Sequence, residues 1–381
     1  MPARTMTEGQ AAPRLLVVAG EASGDLHGGA LLSALRLRLP GAVVRGVGGE
    51  QMRAAGLQQL ADVRTLSAAG LVEILGSLGR HHHVMRLLKR QMDQHRPDAV
   101  VLIDYPGFNL LVAGEAHRRG IPVFFYIAPQ VWAWGRGRAR RMARIIDRLA
   151  VIFPFEEPLF NAHGRAFARY VGHPLMDQIQ VTQGREATLL THGLAADQRL
   201  LLLLPGSRRA EIRLLLPDLL AAAAVFAREG WQVALLRAPT VDQAFLEQVA
   251  GPLPVRCLEG DTCNLLHAAD GALVCSGTAT LQAALLGCPH VIAYRFSPLT
   301  YLLGRLITRH RVLGLPNVIL GRVLFPELLQ RAVTPAHLVR ALRQLLADPA
   351  RWQQGVEELR SRMGPPGASL RAADELVDLL R

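Results

Sequence analysis

Leu200-Leu201-Leu202-Leu203-Leu204-Pro205-Gly206-Ser207-Arg208-Arg209-Ala210-Glu211 decides the fold. Five leucines closed by Pro-Gly-Ser read as a buried strand that ends in a turn and feeds a helix carrying Arg208. The same grammar opens the chain: Arg14–Ala19 is a short apolar strand, then a Gly-rich turn, then a helix from about Asp25 to Leu39. A unit that starts twice implies two halves.

Working outward, Val43–Val47, Ala99–Asp104, Val123–Ile127 and Leu149–Phe153 read as further strands of the first half. Helical spacing occupies Leu71–Met92, Asn109–Arg119 and Arg138–Asp147 between them. The pattern weakens from Gly172 to Arg199, restarts at Leu200, and continues with strands at Trp231–Leu236, Val255–Leu258, Gly271–Cys275 and His290–Ala293. Strand–helix alternation of this kind predicts parallel sheets covered on both faces. The expected class is therefore α/β: two Rossmann-like domains whose sheets face across a cleft, followed by C-terminal helices. The expected boundaries are 1–180, 181–348 and 349–381, with a linker near Asp177–Asp197 and the terminal helices packing back on the first domain or exchanged in a dimer.

At 381 residues there is room for two cores. Half the residues are apolar and 19% are charged, a globular composition. Runs such as Val123–Ala128 and Leu214–Ala227, the latter broken by Pro217 and Asp218, fall short of a membrane-spanning helix. Leu15–Ala19 is too short for a signal-peptide core, so a cytoplasmic protein is expected. Cys257, Cys263, Cys275 and Cys288 are irregularly spaced, which favours reduced thiols over zinc ligation or disulfides. The formal net charge of +12 attracts nucleic acid, anionic lipid or phosphorylated substrate alike, and Lys89 is the sole lysine, so genomic base composition explains the total equally well.

Four loops that follow strands carry the chemistry, since ligands of open parallel sheets sit at the carboxyl ends of strands. Gly20-Glu21-Ala22-Ser23-Gly24-Asp25 offers close backbone approach and a helix start, with Glu21 suited to sugar hydroxyls. Simple helix capping by Ser23 or Asp25 is the alternative. Ile103-Asp104-Tyr105-Pro106-Gly107-Phe108-Asn109 places Asp104 where a general base would stand, or where a carboxylate caps the next helix. Gly206, Ser207 and Arg208 match a diphosphate, unless Arg208 is a surface arginine. Ser276-Gly277-Thr278-Ala279-Thr280 forms an anion-binding nest or a plain capped helix start. No Asp-x-Asp stands at a strand end to hold a metal-bound nucleotide, so no metal and no cofactor are expected.

Two stretches point to lipid. Leu71, Leu75, Leu78, Met85 and Met92 recur near helical spacing, widened by Val72, Ile74 and Leu88 and flanked by Arg80, His81, His83, Arg86, Lys89 and Arg90. A basic amphipathic helix on a membrane surface and a core-facing helix both explain this stripe. The consecutive histidines cannot share one helix face, which excludes them as a metal site. Trp132-Ala133-Trp134 precedes Arg136, Arg138, Arg140, Arg141, Arg144 and Arg148, a composition suited to a membrane interface, a phosphorylated acceptor or a solvated basic face. RNA fits the charge too, but no RNA-binding motif accompanies it.

These segments, with Pro129-Gln130-Val131-Trp132-Ala133-Trp134, Pro154-Phe155-Glu156, Gly172-His173-Pro174, Leu315-Pro316-Asn317 and Glu327-Leu328-Leu329-Gln330, resemble in order the lipid-A-disaccharide synthases over residues 20 to 330. The resemblance implies a GT-B fold and an inverting, metal-independent glycosyltransferase. Its donor would be UDP-2,3-diacylglucosamine, its acceptor 2,3-diacylglucosamine 1-phosphate, and its products the β-1,6-linked disaccharide 1-phosphate and UDP. It also implies Asp104 as the essential aspartate, Glu21 and Ser23 in the first loop, Arg208 on the diphosphate side and Asn317 as a late polar site residue. Leu71, Val72, Ile74, Leu75 and Leu78 would form the acyl- and membrane-contacting segment of a protein peripheral on the cytoplasmic face of the inner membrane. A homodimer is compatible with it; a nucleic-acid partner is not expected. Two positions depart from the pattern: Gln282 stands where a ribose-binding glutamate is common, and Gly107 replaces a second aspartate. Gln282 can still hydrogen-bond two hydroxyls, without charge.

Two other functions fit parts of the sequence. A metal-independent UDP-N-acetylglucosamine 2-epimerase shares the two-domain architecture but has no use for the basic amphipathic surface. A non-catalytic basic protein that binds membrane or RNA uses that surface but not the loops.

Overall fold

A computed structural model describes residues 12–66, 73–129, 137–252, 255–296 and 312–381. The chain divides into two compact units, one formed by Met1–Asp177 with Pro365–Arg381, the other by Gln178–Gly364.

The first unit is built on a parallel sheet of seven strands: β1 Arg14–Ala19, β2 Val43–Gly48, β3 Gln58–Asp62, β4 Ala99–Ile103, β5 Val123–Tyr126, β6 Arg148–Val151 and β7 Ala168–Tyr170. They lie in the order β3-β2-β1-β4-β5-β6-β7, with Val18 opposite Val47 on one side and Leu102 on the other. The strand order reverses between β1 and β4, which makes their carboxyl ends the switch point where ligands of such sheets bind.

The second unit repeats the plan with six parallel strands: β8 Leu200–Leu204, β9 Gln232–Arg237, β10 Arg256–Glu259, β11 Gly271–Cys275, β12 His290–Tyr294 and β13 Glu327–Leu329. Their order is β10-β9-β8-β11-β12-β13, so the switch point lies between β8 and β11. The five leucines of β8 show why the run had to be a strand. Leu201 and Leu203 pack with Ile212, Leu215 and Leu216 of helix Arg209–Arg228, while Leu200, Leu202 and Leu204 pack with Leu265 and Leu266 on the opposite face. Both faces are covered, and period-two alternation fills both cores.

Val84, Leu88 and Met92 of helix Glu73–His95 join the core beneath the first sheet, so this half of the apolar stripe faces inward. The side chains of Ile74, Leu75 and Leu78 lie outside the described residues, as do Leu71 and Val72 altogether.

Only one of the two helices that end the chain belongs to the first unit. Helix Pro349–Met363 stays with the second, where Arg360 donates to the Leu285 carbonyl at 2.9 Å. After Gly364, with φ of +68°, helix Ala368–Leu380 packs on helix Ala22–Arg38 of the first unit. Arg38–Asp374 and Arg148–Glu375 ion pairs, both 2.6 Å, and a bond from Arg371 Nε to the Val171 carbonyl at 2.7 Å fix it there.

Asp25 does not cap its own helix. Its buried carboxylate accepts from the N–H groups of Gly49 (2.6 Å), Gln51 (3.0 Å) and Met52 (3.1 Å), holding the start of helix Glu50–Ala54 beneath the end of β2. Asp25→Ala strands these donors and is expected to cost about 2–4 kcal/mol. Asp25→Asn, which keeps one acceptor oxygen, costs less. Urea unfolding followed by circular dichroism measures both, and equal stability of wild type and Asp25→Ala would refute this role.

Candidate active site

At the first switch point, Asp104 and Tyr105 follow β4 with φ of +48° and +47°, left-handed backbone that costs non-glycine residues about 1–3 kcal/mol each. Asn109, fully buried, is what holds them. Its amide nitrogen donates to the carbonyls of Asp104 (2.7 Å) and Ile103 (3.1 Å) and reaches that of Val18 in β1 at 3.4 Å. The Tyr105 hydroxyl donates to the Leu66 carbonyl at 3.0 Å, and its ring lies across Gly20, where any Cβ would overlap it. Gly20 therefore has a steric reason to be glycine.

Asp104 lines a cavity of about 460 Å³ together with Ile127, Ala128, Arg138, Ile152 and Phe153. Burial, and secondly the charge of Glu21, raise its pKa to about 6. Glu21 is half-buried and accepts a hydrogen bond from the Ser23 hydroxyl at 2.9 Å, so Ser23 orients Glu21 rather than capping the helix. His173 is buried and His27 half-buried in the first unit; desolvation lowers their pKa values to about 3 and about 4, with His27 adding a smaller effect on His173.

At the second switch point, the loops after β8 and β11 meet. Gly206, Ser207, Arg208, Ser276, Gly277 and Thr278 all line one cavity of about 380 Å³. Gly206 has φ of +114°, and a Cβ there would sit 2.8 Å from Glu211 Oε2 and 3.2 Å from Cys275 Sγ. Gly277 has φ of +156° and ψ of −164°, a conformation reserved for glycine, and leads into helix Thr278–Leu285 with open space beside its Cα. The first N–H groups of that helix, and the largely exposed Arg208 guanidinium, make the cavity suited to an anion. Arg208 pairs with Glu211 at 3.1 Å, and Tyr294 donates to the same carboxylate at 3.3 Å.

Two residues expected at the nucleotide, Gln282 and Asn317, are not among those lining this cavity. Gln282 is half-buried one turn further along its helix and directs its amide to Cys263 Sγ at 3.5 Å; it is not among the cavity's lining residues. Asn317 has no polar atom to offer a ligand. Its oxygen accepts from Leu324 and Phe325 N–H at 2.8 and 3.0 Å, and its nitrogen donates to the Phe325 carbonyl and to Glu327 Oε1, both at 2.7 Å. It ties helix Leu315–Leu320 to β13 instead. Conversely, the structure adds Asn109 behind Asp104, and it adds Arg237, Pro239 and Thr262 to the second cavity. Arg237 ends β9, Pro239 follows it and Thr262 follows β10, so strand ends were the available signal. Trp132, Trp134 and Arg136 lie outside the described residues.

The sequence model of the lipid-A-disaccharide synthetases matches residues 15–364. The chain belongs to this family. The lipid-A-disaccharide synthase of Syntrophus aciditrophicus is 43% identical over 375 residues, covering 96% of this chain and 98% of that protein. Among solved structures, the UDP-GlcNAc 2-epimerase of Neisseria meningitidis bound to UDP-GlcNAc superposes with a TM-score of 0.62 at 10% identity, covering 96% of this chain and 98% of that one. The calicheamicin glycosyltransferase CalG4 superposes with the same score of 0.62 at 17% identity, covering 97% and 99%. Equal likeness to an epimerase and a glycosyltransferase establishes the GT-B-type architecture and does not choose between their reactions. Family membership does: as a lipid-A-disaccharide synthetase, the chain is a glycosyltransferase, and the epimerase reading is set aside. Among the described residues no helix is long and apolar enough to cross a membrane.

Because burial is the larger cause of the raised Asp104 pKa and Glu21 the smaller, Glu21→Gln should lower that pKa while leaving it above the ordinary carboxylate value. A carboxyl-carbon NMR titration of Asp104 reads both. An unmoved midpoint in Glu21→Gln would show that the two carboxylates do not sense each other.

Proposed function

We propose that the chain transfers diacylglucosamine from UDP-2,3-diacylglucosamine to the 6-hydroxyl of 2,3-diacylglucosamine 1-phosphate, inverting the anomeric carbon without a metal ion. The observation that carries the mechanism is the Asp104 carboxylate, poised with a pKa of about 6 at the first switch point. Such a group is ionised at neutral pH yet basic enough to take a proton. In the reaction, the acceptor oxygen forms a bond to the anomeric carbon and its proton passes to Asp104. The bond from that carbon to the UDP oxygen breaks, and UDP leaves with the electron pair. Glu21, oriented by Ser23, holds sugar hydroxyls beside Asp104. In the second unit Gly206, Ser207 and Arg208 with Ser276, Gly277 and Thr278 hold the diphosphate, and Arg208 stabilises the charge that grows on it. For that, Arg208 must exchange part of its contact with Glu211 for phosphate oxygens.

Both substrates carry acyl chains, so the protein must work at a lipid surface. Leu71, Val72, Ile74, Leu75 and Leu78, with Arg80, Arg86 and Arg90 on the same segment, have the apolar and cationic composition for peripheral contact with the anionic cytoplasmic face of the inner membrane.

Asp104→Asn should lose about 100- to 10,000-fold in rate, read as disaccharide 1-phosphate formed from both lipid sugars in detergent by mass spectrometry. Near-full activity in the folded variant refutes the assignment. The wild-type rate should fall as the pH drops through about 6, where Asp104 becomes protonated. Separately, replacing Leu75 and Leu78 together by Ser should reduce recovery with vesicles of anionic phospholipid in a flotation assay. Unchanged partitioning rules out membrane contact through this segment.

A further inference from the structure

The acceptor has two ends that matter: the 6-hydroxyl that attacks, and the phosphate on the anomeric carbon. Both substituents flank the ring oxygen of one pyranose. A site that presents a base to the first must therefore find a cation for the second within about one sugar ring.

The cavity holding Asp104 supplies one. At about 460 Å³ it falls in the usual range for small-molecule sites. Among the described residues its other lining residues are Pro106, Ile127, Ala128, Pro129, Ile152 and Phe153, all apolar, so of these Asp104 and Arg138 are the two charged side chains on its wall. Arg138 stands in the first turn of helix Gly137–Ile145 and is exposed. Among the described residues it has no ion-pair or hydrogen-bond partner, and it does not pair with Asp104. Arg119, Arg148 and Arg165 are engaged by Asp93 and Glu115, by Glu375 and by Asp147; Arg140, Arg141 and Arg144 of the same helix are also without a partner among the described residues, but of these arginines Arg138 is the one on the cavity wall. A guanidinium left without a carboxylate, on an apolar wall that also carries the base, is suited to a dianionic ligand that it can grip with two parallel N–H bonds.

We infer that Arg138 binds the anomeric phosphate of the acceptor and so selects phosphorylated over unphosphorylated lipid sugar. This rests on the proposed function and deepens it. Arg138 is a specificity-determining residue; it does not take part in proton transfer. With the phosphate held at Arg138, the 6-hydroxyl across the ring is directed toward Asp104.

The test compares two acceptors, 2,3-diacylglucosamine 1-phosphate and the same lipid with a free 1-hydroxyl, at saturating donor in detergent. Wild type should prefer the phosphorylated acceptor. Arg138→Gln should lose about 10- to 100-fold in kcat/KM on it, the range for a charge-assisted contact, with little change on the 1-hydroxyl lipid and an unchanged KM for the UDP-sugar. Arg138→Lys should fall between, since it keeps the charge and loses the fork. Arg144→Gln, which removes an exposed charge from the same helix away from the cavity wall, should behave as wild type. The inference is overturned if Arg138→Gln keeps the wild-type preference, loses equally on both acceptors, or if wild type shows no preference at all. Failure of the proposed function looks different: folded wild type would then make no disaccharide from either lipid.

Discussion

Three carbonyl oxygens at the carboxyl ends of β1 and β4, those of Val18, Ile103 and Asp104, converge on the single side-chain amide of Asn109. The first active-site loop depends on that convergence. Two successive non-glycine residues in left-handed backbone are together worth a few kcal/mol of strain, comparable to a large part of a domain's net stability. The amide offsets part of this by donating to the carbonyls of Asp104 and Ile103 at the bend, and the Tyr105 hydroxyl pins the second strained residue to Leu66. Asp104 is thus placed on the cavity wall by packing and hydrogen bonds set behind it. For the base proposed here, positioning of this kind removes the need for flexible side-chain searching.

The two units share a strand order and use it for opposite charges. In the first, the loops at the switch point carry the carboxylates Glu21 and Asp104, and burial makes Asp104 reluctant to ionise. In the second, the equivalent loops are made of glycine and hydroxyl residues running into helix starts, with a guanidinium exposed at the rim. Topology decides where a ligand can sit; the residues at the strand ends decide whether that place donates protons, accepts them or holds a phosphate. Glycine matters in both, for different reasons. Gly20 makes room for a tyrosine ring, whereas Gly206 and Gly277 adopt backbone that side chains resist.

Most of this plan was legible in the residues because strands buried on both faces are continuous apolar runs. Arg14–Ala19, Leu200–Leu204 and Gly271–Cys275 were readable to the residue. The strands that escaped were edge or near-edge pieces: Gln58–Asp62 is largely polar, and Ala168–Tyr170 and Glu327–Leu329 have three residues each. An edge strand needs apolar residues on fewer neighbours, so composition barely marks it. The loop residues Gly206, Ser207, Arg208, Ser276, Gly277 and Thr278, which line one cavity, were readable as a group from their places after β8 and β11. What sequence could not separate was a polar residue that faces a ligand from one that faces backbone. Asn317 and Asp25 look like site residues in a line of text, yet Asp25 spends its hydrogen bonds on main-chain groups brought near by the fold, and Asn317 does the same apart from one bond to the Glu327 carboxylate. Asn109 looked incidental for the same reason.

The proposal of Asp104 as the base turns on how burial acts on charge. His27 lies in the first loop's helix and is the natural rival to Asp104, since imidazole usually serves near neutral pH. Yet desolvation penalises whichever form is charged. For a histidine that form is the protonated one, so burial weakens it as a proton acceptor, and His27 is driven down to about 4 with His173 beside it at about 3. For a carboxylate the charged form is the ionised one, so the same burial strengthens it, and Asp104 is driven up to about 6. One apolar surrounding therefore inverts the ordinary order of basicity, leaving the aspartate the better acceptor for a hydroxyl proton. With pKa values lowered to about 4 and about 3, both histidines are neutral at neutral pH.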